Sequence, residues 1–386
     1  MGASANAPPC TRQPPRTQAR PWRRTPRATR HRPTTIPRTT DERGDAVFGR
    51  HILGMTDFDA DELHALLTLA ERMKSGDDTH AHLTGTDLGL LFHVPSTRTR
   101  VSFQVAAAQL GGRSYTYGPE ELRLANNETV EDTAGVLSRY LSALVVRWYD
   151  MADYGAGHRR LRTMAEHSSI PVINALDDEE HPCQVLADLL TLRERFGDEL
   201  PRRRVVYTWA YSSRQKTPGV LHSSLLAAAL LGHHVTFAHP PGFDLDERYV
   251  KQARALAAAS GARLDFCEDM AEAVRGADAV YVQSWKSLRL PGRHEWQART
   301  RLADRWRVTE PLMALAAPGA PFLDCMPSNR GEEMDAEVKD GPRSLIFEQA
   351  ENRLHVQKAL LAQVIGTAPR TASGSAAGAS AERGAR

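Results

Sequence analysis

The chain has 386 residues with 41% hydrophobic and 25% charged side chains, which is long enough for two domains and ordinary for a globular protein. The formal net charge of +2 argues against a nucleic-acid partner, because the basic excess lies in the N-terminal segment. No apolar run is long enough to span a bilayer, which argues against a membrane partner.

The two ends of the chain differ in composition from the rest. Residues 1–47 are dominated by Arg, Pro and Thr, with Asp41 as the first acidic residue. We therefore expect a disordered basic extension. It could be a basic arm for anionic partners, an organelle-targeting segment, or a non-functional extension from an over-long start assignment, and we favour the last. Residues 367–386, rich in Ala, Gly and Ser, are typical of a flexible tail.

The cysteine pattern bears on the compartment of the protein. Its four cysteines are Cys10, Cys183, Cys267 and Cys325. They show no paired spacing of the kind that metal sites use. We therefore expect no metal site, no disulfide framework and a reducing, cytoplasmic location.

The globular part begins with an amphipathic helix and a buried strand. An acidic segment at 57–62 precedes apolar residues at helical spacing, namely Leu63, Leu66, Leu67 and Ala70. The apolar run 88–92 then predicts a buried strand, which Pro95 ends.

A cluster of hydroxyls and arginines follows Pro95. It consists of Ser96, Thr97, Arg98, Thr99 and Arg100. Ser96 or Thr97 can cap a helix whose apolar positions include Val101, Val105 and Leu110. At a helix N-terminus, backbone N–H groups and the helix dipole favour an anion, and arginines add forked hydrogen bonds, so the cluster suits a phosphate. A plain capped helix with solvated arginines is the alternative.

Strands and helices continue to alternate up to residue 182. The pattern predicts strands at 115–117, 144–146 and 170–175 and a helix from 131 to 140. This alternation favours an α/β domain with a parallel sheet. Ligands of such sheets bind at the carboxyl ends of strands, and the hydroxyl–arginine cluster, Arg147 and His181 all fall just past predicted strands.

A second series of strands and helices covers the rest of the globular part. Strands are predicted at 204–209, 234–238 and 279–282, and helices at 182–192, 221–231 and 271–274. No glycine-rich dinucleotide fingerprint follows Trp209, so NAD is not expected as a cofactor.

Three motifs in a fixed order carry a resemblance to a known family. They are the cluster at 96–100, the run His181-Pro182-Cys183-Gln184, and the run Asp324-Cys325-Met326-Pro327 with Arg330-Gly331-Glu332-Glu333. Together they resemble the aspartate/ornithine carbamoyltransferase family, from about His51 to about Ile365. The segment 348–359, containing Glu351-Asn352-Arg353-Leu354-His355, is similar to the ornithine branch in particular.

The resemblance implies an α/β fold of two doubly wound parallel-sheet domains. Residues 48–182 would form the carbamoyl-phosphate-binding domain and residues 183–345 the ornithine- or amine-binding domain. Residues 346–366 would form a C-terminal helix that packs back on the first domain. By analogy the enzyme would be a homotrimer or a multiple of one.

The resemblance also implies the carbamoyl-phosphate site. Its residues would be Ser96, Thr97, Arg98, Thr99, Arg100, Arg147, His181, Gln184 and Arg353, with Arg123 reaching in from a neighbouring subunit. Two alternatives stay open: Arg123 as a solvated surface residue, and Arg353 as a salt-bridge partner of Glu348 or Glu351. Catalytic roles would fall to Arg147, His181, Gln184 and Cys325, with no metal, cofactor or covalent enzyme intermediate required.

The acceptor site departs from the ornithine branch. Gly219 stands where that branch has an Asn, Gln283 where it has an Asp, and Asp324 where it has a His. The Ser-Met-Gly motif of that branch aligns with Ser287, Leu288 and Arg289. The amine substrate is expected to contact Gln283, Ser287, Leu288, Asp324, Cys325 and Met326, with Lys216 a further candidate.

The segments 209–212 and 282–285 are more similar to the knotted branch, which acts on N-acylated ornithine, whereas residues 331–333 follow the ordinary ornithine branch. We expect a carbamoyltransferase that uses carbamoyl phosphate and ornithine or an ornithine-like amine to give a ureido product and phosphate. Alternatives are another acceptor, such as N-acylornithine, lysine or a diamine, and a catalytically silent binding subunit.

Overall fold

The computed structural model describes residues 47–122, 124 and 128–366. The predicted extension up to residue 46, the predicted tail and Arg123 lie outside these residues. Val47, which the sequence placed in the extension, is buried in the core, so the packed part of the chain includes it. Within the described ranges no helix is long and apolar enough to cross a membrane.

The first sheet has four parallel strands in the order β2-β1-β3-β4. The strands are β1 (Asp87–Phe92), β2 (Arg113–Tyr117), β3 (Ala143–Arg147) and β4 (Val172–Leu176). The helices of this half are α1 (Ala60–Ser75), α2 (Thr97–Gln109), α3 (Val130–Leu137) and α4 (Ala156–His167). Val145 packs with the main hydrophobic cluster, while its neighbours Leu144 and Val146 join a second cluster with α3 and α4. Alternate side chains thus enter different cores, so the sheet is covered on both faces.

The second sheet has five parallel strands in the order β7-β6-β5-β8-β9. The strands are β5 (Arg204–Trp209), β6 (His234–Ala238), β7 (Arg263–Cys267), β8 (Ala279–Gln283) and β9 (Phe322–Asp324). The helices are α5 (Pro182–Phe196), α6 (Gly219–Leu231), α7 (Glu247–Ser260), α8 (Met270–Val274), α9 (Gly292–Leu302), α10 (Glu310–Met313), α11 (Ala336–Asp340) and α12 (Ile346–Ile365). The predicted fold class, α/β with two parallel sheets, is confirmed.

The last helix, α12, packs against α1, α2 and α5. Its buried face carries aliphatic residues from Val356 to Ile365 and, near its start, the polar residues Gln349, Asn352 and Arg353. The C-terminal end of the fold therefore returns to the helices of the first sheet and brings polar side chains to the same place.

Two helix starts set up the functional region. Ser96 caps α2, since its Oγ accepts from the Thr99 backbone N–H at 3.2 Å. Pro182 opens α5, where its missing N–H costs no helical hydrogen bond. Gly219 at the start of α6 lies so close to Glu180 that a Cβ would be 3.0 Å from the Glu180 carbonyl carbon, so a larger residue would require the Glu180 backbone to shift by a few tenths of an ångström.

The apolar residues of α2 do not all face the core. Val101 and Val105 are 46% and 37% exposed, whereas α2 buries Thr99, Phe103, Ala106 and Ala107. Both sets have helical spacing, and the small alanines let α12 approach closely on the second face. Leu110, just after the helix, is buried as expected.

Candidate active site

A cavity of about 400 Å³ lies at the carboxyl ends of strands from both sheets. Arg147 and Leu176 end β3 and β4, and Gln283 ends β8. The start of α2 and the loop after β9 complete the wall. This is the position where open parallel sheets bind their ligands.

Most predicted site residues among those described come together here. The cavity is lined by Ser96, Thr97, Arg98, Thr99, Arg147, His181, Gln184, Gln283, Cys325, Met326 and Arg353. These side chains come from six separate parts of the chain, which the two sheets and α12 hold around one space.

Of the predicted residues that the structure describes, four do not line the cavity. Arg100 is exposed on α2. The buried Ser287 hydroxyl donates to the Gly242 carbonyl and accepts from two backbone N–H groups of its own loop, so it holds that loop. Leu288 is half-buried. Asp324 lies behind the wall, where its Oδ1 is 3.6 Å from Lys216 Nζ.

Arg353 joins the start of α2 to the start of α5. Its guanidinium donates to Gln184 Oε1 at 2.5 Å and to Thr99 Oγ1 at 2.9 Å. The structure therefore gives Arg353 these two partners, and the alternative of a salt bridge with Glu348 or Glu351 is not what it forms. Burial lowers the pKa of Arg353 to about 10, which leaves it a cation at neutral pH.

A second layer of buried hydrogen bonds supports Gln184. Its amide donates to Asp188 Oδ1 at 2.8 Å, and Gln349 on α12 donates to the same oxygen. Gln349 Oε1 in turn accepts from the Asp324 backbone N–H at 3.1 Å. The chain of contacts links the start of α5 to the end of β9, so both walls of the cavity are fixed to one another.

His181 is buried at the inner wall. Its backbone N–H donates to Ser223 Oγ at 2.9 Å, and its Nδ1 has no hydrogen-bond partner among the described residues. Burial, followed by the charges of Arg353, Arg147 and Arg98, lowers the pKa of His181 well below its usual value. The ring is therefore neutral at physiological pH, and one of its nitrogens can donate a hydrogen bond to a ligand.

Burial also decides the states of Arg147 and Cys325. It lowers the pKa of Arg147, whose guanidinium lies 5.3 Å from the ring centre of Tyr149. It raises the pKa of Cys325 to about 11. Because a cysteine with such a pKa is a neutral thiol near pH 7, it is a poor nucleophile.

Several lining residues were missed from the sequence. They are Pro95, Tyr149, Met151, Leu176, Arg214, Gln215, Thr217, Val220 and Pro327. Tyr149 follows Arg147 by two residues, and Arg214 and Gln215 belong to the long loop after β5. Their nearness to predicted strand ends was the available signal, since hydrophobic patterns carry no information about loop side chains.

The charge of the cavity wall is one-sided. Its cationic side chains are Arg98, Arg147, Arg214, Lys216 and Arg353. Among the described residues that line it, none is Asp or Glu. Such a wall attracts anionic ligands and gives a ligand cation no direct partner.

Together the fold and cavity define a two-sheet α/β protein with a cationic cleft for anionic ligands. Residues 50–194 match the family model described as the aspartate/ornithine carbamoyltransferase carbamoyl-P binding domain, and residues 207–364 match its Asp/Orn binding domain. The chain belongs to the aspartate/ornithine carbamoyltransferase family, and it is a carbamoyltransferase.

The similar proteins include enzymes named for ornithine and enzymes named for acetylornithine. The ornithine carbamoyltransferase of Hyperthermus butylicus is 41% identical over 323 residues, which cover 83% of this chain and 98% of the relative. The structure of the Pyrococcus furiosus ornithine carbamoyltransferase aligns with a TM-score of 0.74 at 38% identity, covering 83% of this chain and 98% of that one. An acetylornithine transcarbamylase complexed with acetylcitrulline aligns with a TM-score of 0.76 at 34% identity, covering 82% and 100%.

Proposed function

We propose that this carbamoyltransferase moves the carbamoyl group of carbamoyl phosphate to the side-chain amine of an ornithine-like acid whose α-nitrogen is acylated. The amine nitrogen forms a bond to the carbonyl carbon and loses a proton. The bond from that carbon to the phosphate oxygen breaks, and phosphate leaves with the electron pair. The products are a ureido acid and inorganic phosphate.

We assign the phosphate end of carbamoyl phosphate to the start of α2. There Ser96, Thr97 and Arg98 line the cavity, and the first N–H groups of a helix have no intrahelical partner. Arg147 and Arg353 add positive charge nearby. The negative charge that builds on the leaving phosphate is thereby stabilised.

We assign the carbonyl end to His181 and Gln184. A neutral His181 can donate to the carbonyl oxygen as charge builds on it. Gln184 is held from both sides, by Arg353 at its oxygen and by Asp188 at its nitrogen, so its position is fixed before the substrate enters.

The observation that carries the choice of acceptor is the charge of the wall around Gln283. This residue is buried, its Oε1 has no partner among the described residues, and its Nε2 reaches only the Thr217 carbonyl at 3.5 Å. A neutral amide oxygen accepts well from the N–H of an acylated α-nitrogen. A free α-ammonium would share the cavity with the cations Lys216 and Arg214, and none of the described lining residues is a carboxylate that could pair with it. Removing such an ammonium from water without a partner costs free energy of binding.

The test is a comparison of kcat/KM for N-acetylornithine and ornithine at saturating carbamoyl phosphate. We expect the acylated substrate to be favoured roughly 100-fold, the scale of a buried charge without its partner. Gln283→Asp should shift this ratio toward ornithine at least tenfold, while Gln297→Asp, an exposed position on α9, should leave it unchanged. Preference of the wild-type enzyme for ornithine would contradict the proposal.

Free ornithine is the second candidate, because relatives at about 40% identity are named ornithine carbamoyltransferase. In that case the α-ammonium would have to pair with Asp324, which lies one side chain behind the wall. Gln283→Asp would then change the ornithine rate little, and this separates the two candidates.

The assembly and domain roles are also proposals. We propose that residues 48–182 bind carbamoyl phosphate, that residues 183–345 bind the amine, and that residues 346–366 return to the first part. A homotrimer, or a multiple of one, is supported by the exposed apolar Val101 and Val105 on α2, and light scattering of the purified protein measures it. A cytoplasmic location is supported by Cys183, Cys267 and Cys325, which are all free thiols.

A further inference from the structure

Lys216 lines the cavity and has a buried ammonium without a hydrogen-bond partner among the described residues. The residue lines the cavity wall, and its Nζ is buried although 15% of the side-chain surface stays exposed. Among the described residues Nζ has no hydrogen-bond partner. A buried ammonium carries three donors, so a group that can accept them is expected from a ligand.

The backbone around Lys216 fixes where this ammonium stands. The Lys216 N–H donates to the Ser284 carbonyl at 3.1 Å, and the Lys286 N–H donates to the Lys216 carbonyl at 2.9 Å. The loop after β5 is therefore paired with the chain that leaves β8. These two backbone hydrogen bonds hold Lys216 in place next to Gln283.

Two carboxylates lie near the ammonium without bonding to it. Asp324 Oδ1 is 3.6 Å and Glu333 Oε1 is 3.9 Å from Nζ, both beyond hydrogen-bonding distance. Burial is the largest single influence and lowers the pKa of Lys216, but Asp324, Cys325 and Glu333 together outweigh it, so the pKa is raised. The acidic groups nearby therefore favour the charged ammonium, and its donors have no acceptor within hydrogen-bonding distance among the described residues.

The chemistry of the wall decides which anion fits. The start of α2 with Arg147 and Arg353 already supplies the donors for a phosphate. Lys216 instead lies in the loop after β5, paired with the chain that leaves β8 next to Gln283. We infer that Lys216 anchors the carboxylate of the acceptor and makes the enzyme select amino acids over the corresponding amines without a carboxylate. The inference rests on the proposed function only in that the acceptor is an ornithine-like amine, acylated or free.

The test pairs each acid with its decarboxylated counterpart. N-acetylornithine and N-acetylputrescine differ only in the carboxylate, as do ornithine and putrescine. We expect the wild-type enzyme to favour the acid in kcat/KM by roughly 100-fold, the scale of a buried hydrogen-bonded charge pair. In Lys216→Met this preference should fall to within about threefold, mainly through KM for the acid.

Two further variants serve as controls for the Lys216→Met measurement. Lys216→Arg keeps a cation and should recover a large part of the preference for the acid, which shows that the charge of the side chain sets the preference. Lys251→Met makes the same substitution at an exposed position of α7 and should leave the preference unchanged. Thermal stabilisation by inorganic phosphate, equal in wild type and Lys216→Met, shows that the fold and the phosphate site are intact.

The outcomes separate this inference from the proposed function. If only ornithine is turned over, the N-acyl proposal fails, and the ornithine–putrescine pair still measures Lys216. If no amine of the panel reacts, thermal stabilisation by norvaline and N-acetylnorvaline replaces turnover, and it should be lost in Lys216→Met. An undiminished preference for the acid in Lys216→Met, or a raised KM for carbamoyl phosphate with an unchanged KM for the acid, overturns the inference.

Discussion

Glu180, the residue before His181, is a buried acid whose charge the fold tolerates poorly. It is 4% exposed, and its Oε2 accepts from the Met55 backbone N–H at 2.9 Å and from Ser223 Oγ at 3.0 Å. Burial raises its pKa from 4.5 to about 8, and the nearby Asp177 adds to the effect. At neutral pH Glu180 is thus largely protonated in the folded protein.

We predict that replacing Glu180 by Gln makes the protein less sensitive to alkaline pH. In the unfolded chain Glu180 is ionised above pH 4.5, so the folded state binds more protons between pH 4.5 and pH 8, and its stability falls as pH rises. At 1.36 kcal/mol per pH unit, the two units from pH 6 to pH 8 correspond to about 3 kcal/mol, with little further change above pH 8. The amide does not titrate, so the variant should gain about 3 kcal/mol over wild type between pH 6 and pH 9.

Urea denaturation of both proteins at pH 6, 7, 8 and 9 measures this difference. Other titrating groups are common to both proteins and cancel in the comparison. Glu337→Gln, at an exposed position on α11, should differ from wild type by the same small amount at every pH. A difference between Glu180→Gln and wild type that stays flat, or that turns in favour of wild type as pH rises, would show that Glu180 is ionised in the native protein.

Three further predictions concern the cavity. Arg353→Met removes the donors to Gln184 and Thr99 and should lower kcat/KM for carbamoyl phosphate roughly 100-fold or more, with a fall below fivefold counting against the assignment. Cys325→Ala should keep kcat within about tenfold of wild type, because the thiol is neutral near pH 7; abolished turnover would instead indicate a nucleophile. The kcat/KM for the acceptor should rise about tenfold per pH unit between pH 7 and pH 9, since its amine has a pKa near 10 and His181 is already neutral, and a break near pH 7 would contradict this.

The strands in the middle of each sheet were predictable because they are buried on both faces. The runs that became β1, β3, β5 and β8 are continuous stretches of apolar residues, which is the signature of parallel strands under helices. The edge strands gave weaker signals. β7 is partly exposed, and β9 has only three residues, so neither stands out from the loops around it.

The helix α2 shows what a periodic pattern leaves undecided. Its sequence carries two possible inward faces, and the valines made one of them look more apolar. The face that is buried includes Thr99, whose hydroxyl accepts from Arg353, a residue 254 positions later in the chain. A contact of that sequence separation cannot be read from local spacing, so tertiary packing selected the face.

The site residues also divide into those that the sequence could place and those that it could not. Residues on the ends of predicted strands or at helix starts, such as Arg147 and His181, could be placed from the sequence because the fold class says where strand ends meet. Tyr149 and Arg214 could not, because they reach the cavity from loops whose course depends on both sheets. Ser287 does not line the cavity, because its hydroxyl donates to the Gly242 carbonyl and accepts from a backbone N–H of its own loop.

The two ends of the cavity differ in how much freedom the fold leaves them. The residues assigned to carbamoyl phosphate are tied together through buried contacts, with Arg353 holding both Thr99 and Gln184, so a change in one disturbs the others. At the acceptor end, Gln283 and Lys216 each keep an unpartnered polar atom and depend on few neighbours. Substitutions at the acceptor end can therefore change which amine is accepted without disturbing the residues assigned to carbamoyl phosphate. Overall similarity, which is averaged over the whole fold, is therefore a weaker guide to the acceptor than these two side chains.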